Sequence, residues 1–179
     1  MSKLGTTRPT TVVNVVTNLD LLAEHEAATR ELERLNRVQS AADRLNSAYS
    51  KEIREQANII QNLEAQMDES TVCVKLKALK RAKYAEVVAN HPPREDNDVD
   101  TAFGVNTDTF GDELLPLSIV GAWNKSTGDK VDFTGDDWAE EAEEFTDAQY
   151  SEFAMAALNI NRGATAIPFS SIASAVIRN

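Results

Sequence analysis

The alternation of apolar and polar positions changes character twice along the chain, and each change marks an expected element boundary. Residues 1–17 are rich in Thr and Val around a single Pro, and read as a flexible N-terminal tail (1–18) or a short strand. From Leu19 to Met67 there is neither Pro nor Gly, and Glu, Arg, Ala, Leu and Gln dominate, which is strong helix material. Asn18 or Asp20 is placed to cap its start. Leu35, Val38, Ala42, Leu45, Tyr49, Ile59 and Leu63 recur at spacings of three and four, but Glu52, Gln56 and Gln66 interrupt the seam. A seam broken in this way makes a weak coiled coil. A continuous rod of this length, about 70 Å, cannot bury its stripe alone. It must fold back, pack on the rest of the chain or meet a second copy, and the softest places for a break are Asn46-Ser47 and Asn58.

At Thr71 the period switches to two. Val72, Val74 and Leu76 alternate with Cys73, Lys75 and Lys77, the mark of a half-buried strand. Tyr84, Val87 and Val88 then share one side of a short helix that His91-Pro92-Pro93 stops. Residues 94–102 read as an exposed acidic loop. A helix is expected to start at Thr107 or Thr109, with Asp108, Asp112 and Glu113 favouring its first turn. It would continue through the apolar run Leu114–Val120, with Pro116 kinking or shortening it. After a turn-rich connection, Thr134 with Asp137 and Thr146 with Gln149 resemble capping boxes. The second launches a helix carrying Tyr150, Phe153, Ala154, Ala157 and Leu158, closed by Asn161-Arg162-Gly163 with Gly163 in the C′ role. Residues 164–179 form a C-terminal tail. The expected fold is therefore mainly α: a long N-terminal helical arm over 19–70, then a small helical domain over 71–163 with a short β element.

Charge adds an asymmetry. Residues 1–90 hold 13 basic and 12 acidic side chains and residues 91–179 hold 5 and 17, net charges of +1 and −12. A field of one sign steers oppositely charged partners, or simply keeps a small protein dispersed. The overall charge of −11 argues against nucleic-acid binding, which needs a basic face. Lys75, Lys77, Lys80, Arg81 and Lys83 form the one basic cluster, read as a solvated face or an internal partner for the acidic half.

Candidate chemistry is sparse. His25 and His91 have no partner at metal-ligand spacing, and the seven glycines form no phosphate-binding loop. The acids between Asp129 and Asp147 lack calcium-loop spacing, and Ser170-Ser171 sits in no nucleophile elbow. Cys73 is the single cysteine, which leaves no intramolecular disulfide and fits a reducing compartment. The N-terminus lacks the apolar core of a signal peptide, and no run approaches a membrane span. The expectation is a soluble cytoplasmic protein with no catalytic, cofactor or metal site.

Three blocks within residues 71–120 carry a resemblance: the strand and helix TVCVKLKALKRAKYAEVVANHPP, the segment FGVNTDTF, and the apolar helix through Leu114–Val120. Together they resemble the tail assembly chaperones of long, flexible-tailed phages of actinobacterial hosts. The likeness extends more loosely to a charged helical arm before the block and to an acidic helix, a helix like Thr146–Leu158 and a closing Asn161-Arg162-Gly163 after it. Pro116 departs from the family pattern. The resemblance implies a non-enzymatic role in the host cytoplasm, binding the tape measure protein while tail-tube subunits, the major tail protein, polymerise around it, and absence from the mature virion. It also implies a longer product made by ribosomal frameshifting. Leu35, Val38, Leu45 and Ile59 on the arm's stripe are then the expected partner-binding residues, with self-association through the arm as a further possibility. The competing role is a structural virion protein, a minor tail or head–tail connector component.

Overall fold

Seven residues of Thr, Val and Asn near the N-terminus pair with a strand more than fifty residues away, and that pairing sets the architecture. The structure is a computed structural model and describes residues 3–39 and 50–163. Strand β1 (Thr10–Val16) runs antiparallel to β2 (Thr71–Lys77), which pairs with β3 (Ile119–Asn124), which pairs with the short β4 (Lys130–Val131). The sheet order is β1-β2-β3-β4. Val13 lies opposite Val74, and Val74 opposite Ala122, so one row of small apolar side chains crosses the sheet. A bulge beside Lys75 and Leu76 gives β3 an extra residue, Val120, and lets Ile119 face the core beside Leu76.

One face of the sheet is covered by helices. These are α3 (Arg81–Asn90), α4 (Asp98–Phe103), α5 (Phe110–Ser118), α6 (Trp138–Ala142) and α7 (Asp147–Arg162). Val13, Val15, Val74 and Leu76 from the sheet meet Val87, Val105, Phe110, Leu114, Leu115, Trp138, Phe153 and Ala157 in one core. Trp138 and Phe153 sit with ring centroids 5.0 Å apart, and Phe145 stacks on Phe153 at 5.6 Å. Each such side chain contributes about 1.5–3 kcal/mol by leaving water. Both capping boxes form, at Thr134 with Asp137 and at Thr146 with Gln149. Gly135, which opens the 3-10 turn before α6, lies so close to α5 that a Cβ there would collide with the Pro116 carbonyl.

The remaining two helices, α1 (Asp20–Val38) and α2 (Lys51–Glu69), form an antiparallel hairpin inserted between β1 and β2. Ala28, Ile53 and Leu63 are buried in its seam, and Gln56 donates to the Ala28 carbonyl at 2.9 Å. At its base the Thr17 N–H donates to the Ser70 carbonyl at 3.0 Å, joining the helix pair directly to the strand pair.

This corrects the expected fold. The protein is mixed α/β, with 58% helix and 15% strand among the described residues and a four-stranded antiparallel sheet, and has no long N-terminal helical arm. Residues 10–16, expected within a flexible tail or as a short strand, form a strand whose Val13 and Val15 are buried. The physical reason is that β1 has no local partner: its register partners lie beyond the whole hairpin. The apolar run Leu114–Val120 divides, because α5 ends at Ser118, two residues past Pro116, and Ile119 opens β3. The segment 94–102 is not wholly an exposed loop, since it contains most of α4 and the fully buried Asp100. Gly163 ends α7 with φ −61°, so it serves by letting the chain pass close to the Asn159 carbonyl and not by a left-handed turn.

Candidate functional site

Of the four expected partner-binding residues, three lie among the described residues, and they differ in exposure. Leu35 is half-buried on the same helix face as Ala28, the face that meets α2. Val38 near the end of α1 is 72% exposed, and Ile59 on α2 is 48% exposed. Leu45 lies outside the described residues. The seam of the hairpin therefore uses part of the stripe, and Val38 and Ile59 remain open to contact.

The blocks that carry the family resemblance do converge. The Asn106 N–H donates to the His91 carbonyl at 2.9 Å, which draws the FGVNTDTF segment against the end of α3. His91 places Nδ1 2.8 Å from the Thr109 hydroxyl and Nε2 3.0 Å from Glu113, with its ring edge-on to Phe110. Asn90 donates to both Glu113 oxygens, at 3.3 and 3.1 Å, and Lys83 stands 3.6 Å from the same carboxylate. These contacts hold the Glu113 carboxyl below its ordinary range, Asn90 contributing most, then His91 and Lys83.

A second polar centre lies beside the first. Asp100, fully buried, receives the Arg94 Nε–H at 2.6 Å, the Arg94 backbone N–H at 3.1 Å, and the Thr107 N–H and hydroxyl at 3.0 and 2.7 Å. The Arg94 guanidinium also donates to Asp108. Arg94 first, then Thr107, holds the Asp100 carboxyl far below the usual carboxylate range, and Asp100 in turn raises Arg94. A buried carboxylate with this many donors is satisfied as an anion. The Thr109–His91–Glu113 row has the order of a nucleophile, a base and an acid. Its hydroxyl, however, lies on the exposed surface, outside the walls of both cavities described next. The two centres are latches: they fix the long connection between α3 and α5.

What the latches fix is one wall of a groove. It has a volume of about 390 Å³ and runs between α7 and the segment from α4 into α5. Val105, Phe110, Gly111 and Leu114 form its floor, and Tyr150, Ala154 and Leu158 line the α7 wall. Val99 on one rim is 55% exposed and Met155 on the other 45%. Among the described residues, the charged ones lining it are Asp108 and Asp147, with no Lys, Arg or His. The Tyr150 hydroxyl donates to Asp112 at 2.8 Å, and burial, then Asp112, pushes its pKa well above the ordinary value. A smaller hollow of about 160 Å³ lies between Val72, Val74 and Phe145. The sequence put Tyr150, Phe153, Ala154, Ala157 and Leu158 on one helix without dividing them between faces. The stripe's width was the missed signal: Phe153 and Ala157 face the sheet, and the others line the groove.

Among the described residues, no group of three His, Cys, Asp or Glu side chains is placed to hold a metal ion. No described helix is long and apolar enough to cross a membrane. The fold and its grooved helical face define a two-layer α/β protein with an inserted helical hairpin. No family model, curated protein or solved structure matches the chain.

Proposed function

We propose that the protein is a phage tail assembly chaperone that binds the tape measure protein in the host cytoplasm while the tail tube is built. The observation that carries this reading is the convergence of the resembling blocks. The His91-Pro92-Pro93 end of the first block and FGVNTDTF, separated by a short connection, join through His91 to Asn106 and Thr109. Arg94, Asp100 and Thr107 brace the connection between them, and FGVNTDTF lines one wall of an apolar groove. The inserted hairpin supports the same reading, because Val38 and Ile59 on it offer exposed apolar contact.

A tape measure protein is long and helical, with apolar stripes that must be covered until tube subunits enclose it. Co-expression tests this directly. The tape measure protein should stay in solution and co-purify with the full chain, and should aggregate when expressed alone. Joint Val38→Glu and Ile59→Glu substitution should weaken capture while leaving the fold unchanged by circular dichroism. A tape measure protein that never co-purifies with the wild-type chain sinks the proposal.

A further inference from the structure

We infer that the groove between α7 and the α4–α5 segment is a docking site for a basic amphipathic helix of about three turns, supplied by the partner. The inference rests on the chaperone reading for the partner's identity, but its chemistry follows from the groove. The α7 wall runs from Asp147 to Leu158, a rise of about 17 Å, the length of three turns of a second helix. A volume of about 390 Å³ accommodates two to three large aliphatic or aromatic side chains. An amphipathic helix presents that number along one face, at positions i, i+4 and i+7.

The occupant's charge follows from the rim. Asp147, the first residue of α7, and Asp108, on the α4–α5 segment, both line the groove. Asp112, a few residues into α5, is already bound by Tyr150. Arg94 is tied to Asp100 and Asp108 and Arg162 to Tyr84 and the Phe103 carbonyl, which holds the nearby guanidiniums in internal contacts. Residues 91–179 carry a net charge of −12, so the surrounding field favours a cationic partner. Lys or Arg flanking an apolar face would meet Asp147 at the rim, Asp108 being paired with Arg94, while acidic flanks would be repelled.

The floor is built to stay open. Gly111 lies under the Tyr150 hydroxyl, and a Cβ there would collide with it. The Tyr150–Asp112 bond thus spans a point where only hydrogen fits, and it holds the tyrosine ring as part of the wall. Val99 and Met155 stand at the opposite lips with their apolar surface in water, which is what an approaching helix would cover.

The test uses the full chain and two probes. The first is a fluorescein-labelled 18-residue helical peptide with Leu at i, i+4 and i+7 and Lys at its flanks, compared with a twin carrying Glu in place of Lys. The Lys peptide should bind more tightly than the Glu twin by at least tenfold, and the preference should shrink as salt rises from about 50 to 500 mM. Ala154→Arg, which fills the groove from its exposed wall, should abolish binding. Asp147→Lys, which leaves the floor intact, should reverse the preference. Equal binding of both peptides, or unchanged binding by a folded Ala154→Arg chain, overturns the inference.

The second probe is the co-expressed tape measure protein. Capture by the wild type and loss with Ala154→Arg supports the groove as the site. Capture by both chains overturns the groove while the chaperone reading stands. Failure of capture by the wild type sinks that reading, and the Lys peptide then decides the groove by itself. Two other occupants have their own signatures. Sedimentation showing a dimer that Ala154→Arg dissolves would assign the groove to a second copy. Peptide binding seen only after Ile167→Ser and Phe169→Ser in the full chain would assign it to the chain's own C-terminal segment. Either result rejects the partner helix.

Discussion

Asp100 shows most clearly how single residues hold this protein in shape. It is buried as an anion, and Arg94 and Thr107 supply the donors that make burial tolerable. Its carboxyl titrates far lower in the folded chain than the value of about 4 expected when unfolded. The stability it contributes is therefore complete above about pH 4 and is lost as the pH falls toward the folded value. Asp100→Asn should lower Tm at pH 7 by about 10 °C, and thermal melts should show the gap from wild type narrowing below about pH 4. A gap that is constant with pH would mean that the charge is not what matters. Ser118 is the opposite case. Its hydroxyl is fully buried and has no hydrogen-bond partner among the described residues. Ser118→Ala should raise the unfolding free energy by about 1 kcal/mol in urea titration, and a destabilised variant would reveal a partner for that hydroxyl.

Elements were legible in the sequence to the extent that their signals are local. The alternation over Thr71–Lys77, the Pro-Pro stop after α3 and both capping boxes are local, and each appears where its residues stand. β1 was harder, because nothing near Thr10–Val16 announces that its partner is Thr71–Lys77. The division of Leu114–Val120 was hidden for a related reason: an apolar run reads alike as buried helix or buried strand. The hairpin depended on where α1 turns back, and the interrupted stripe left folding back and meeting a second chain equally open. The groove depended on which half of α7's wide stripe faces the sheet, and only the packed structure decides that. The hairpin's thin seam has a consequence that can be measured. Ala28, Ile53 and Leu63 are its fully buried apolar residues among those described, against the broad core under the sheet. Native-state hydrogen exchange should find α1 and α2 amides opening more readily than those of β2 and α7. Equal protection in all four would show that the hairpin and sheet unfold as one unit.

At the scale of the whole molecule, the sheet carries two surfaces. The hairpin is inserted between β1 and β2, and the groove lies on the helical layer. The concentration of acidic charge in residues 91–179 gives the molecule a polarity suited to a cationic helical partner. Under the proposed function, the chain would engage the tape measure protein through surface contacts and leave as tube subunits take over those contacts. The central claim is this transient engagement. Its most direct measurement is quantitative mass spectrometry of the chain in complexes captured from infected cells, set beside the same quantification in purified phage particles. The account predicts the chain in stoichiometric amounts with the tape measure protein in the captured complexes, and its loss from finished particles. A fixed number of copies in finished particles would contradict it and make the chain a structural component of the tail or its connector.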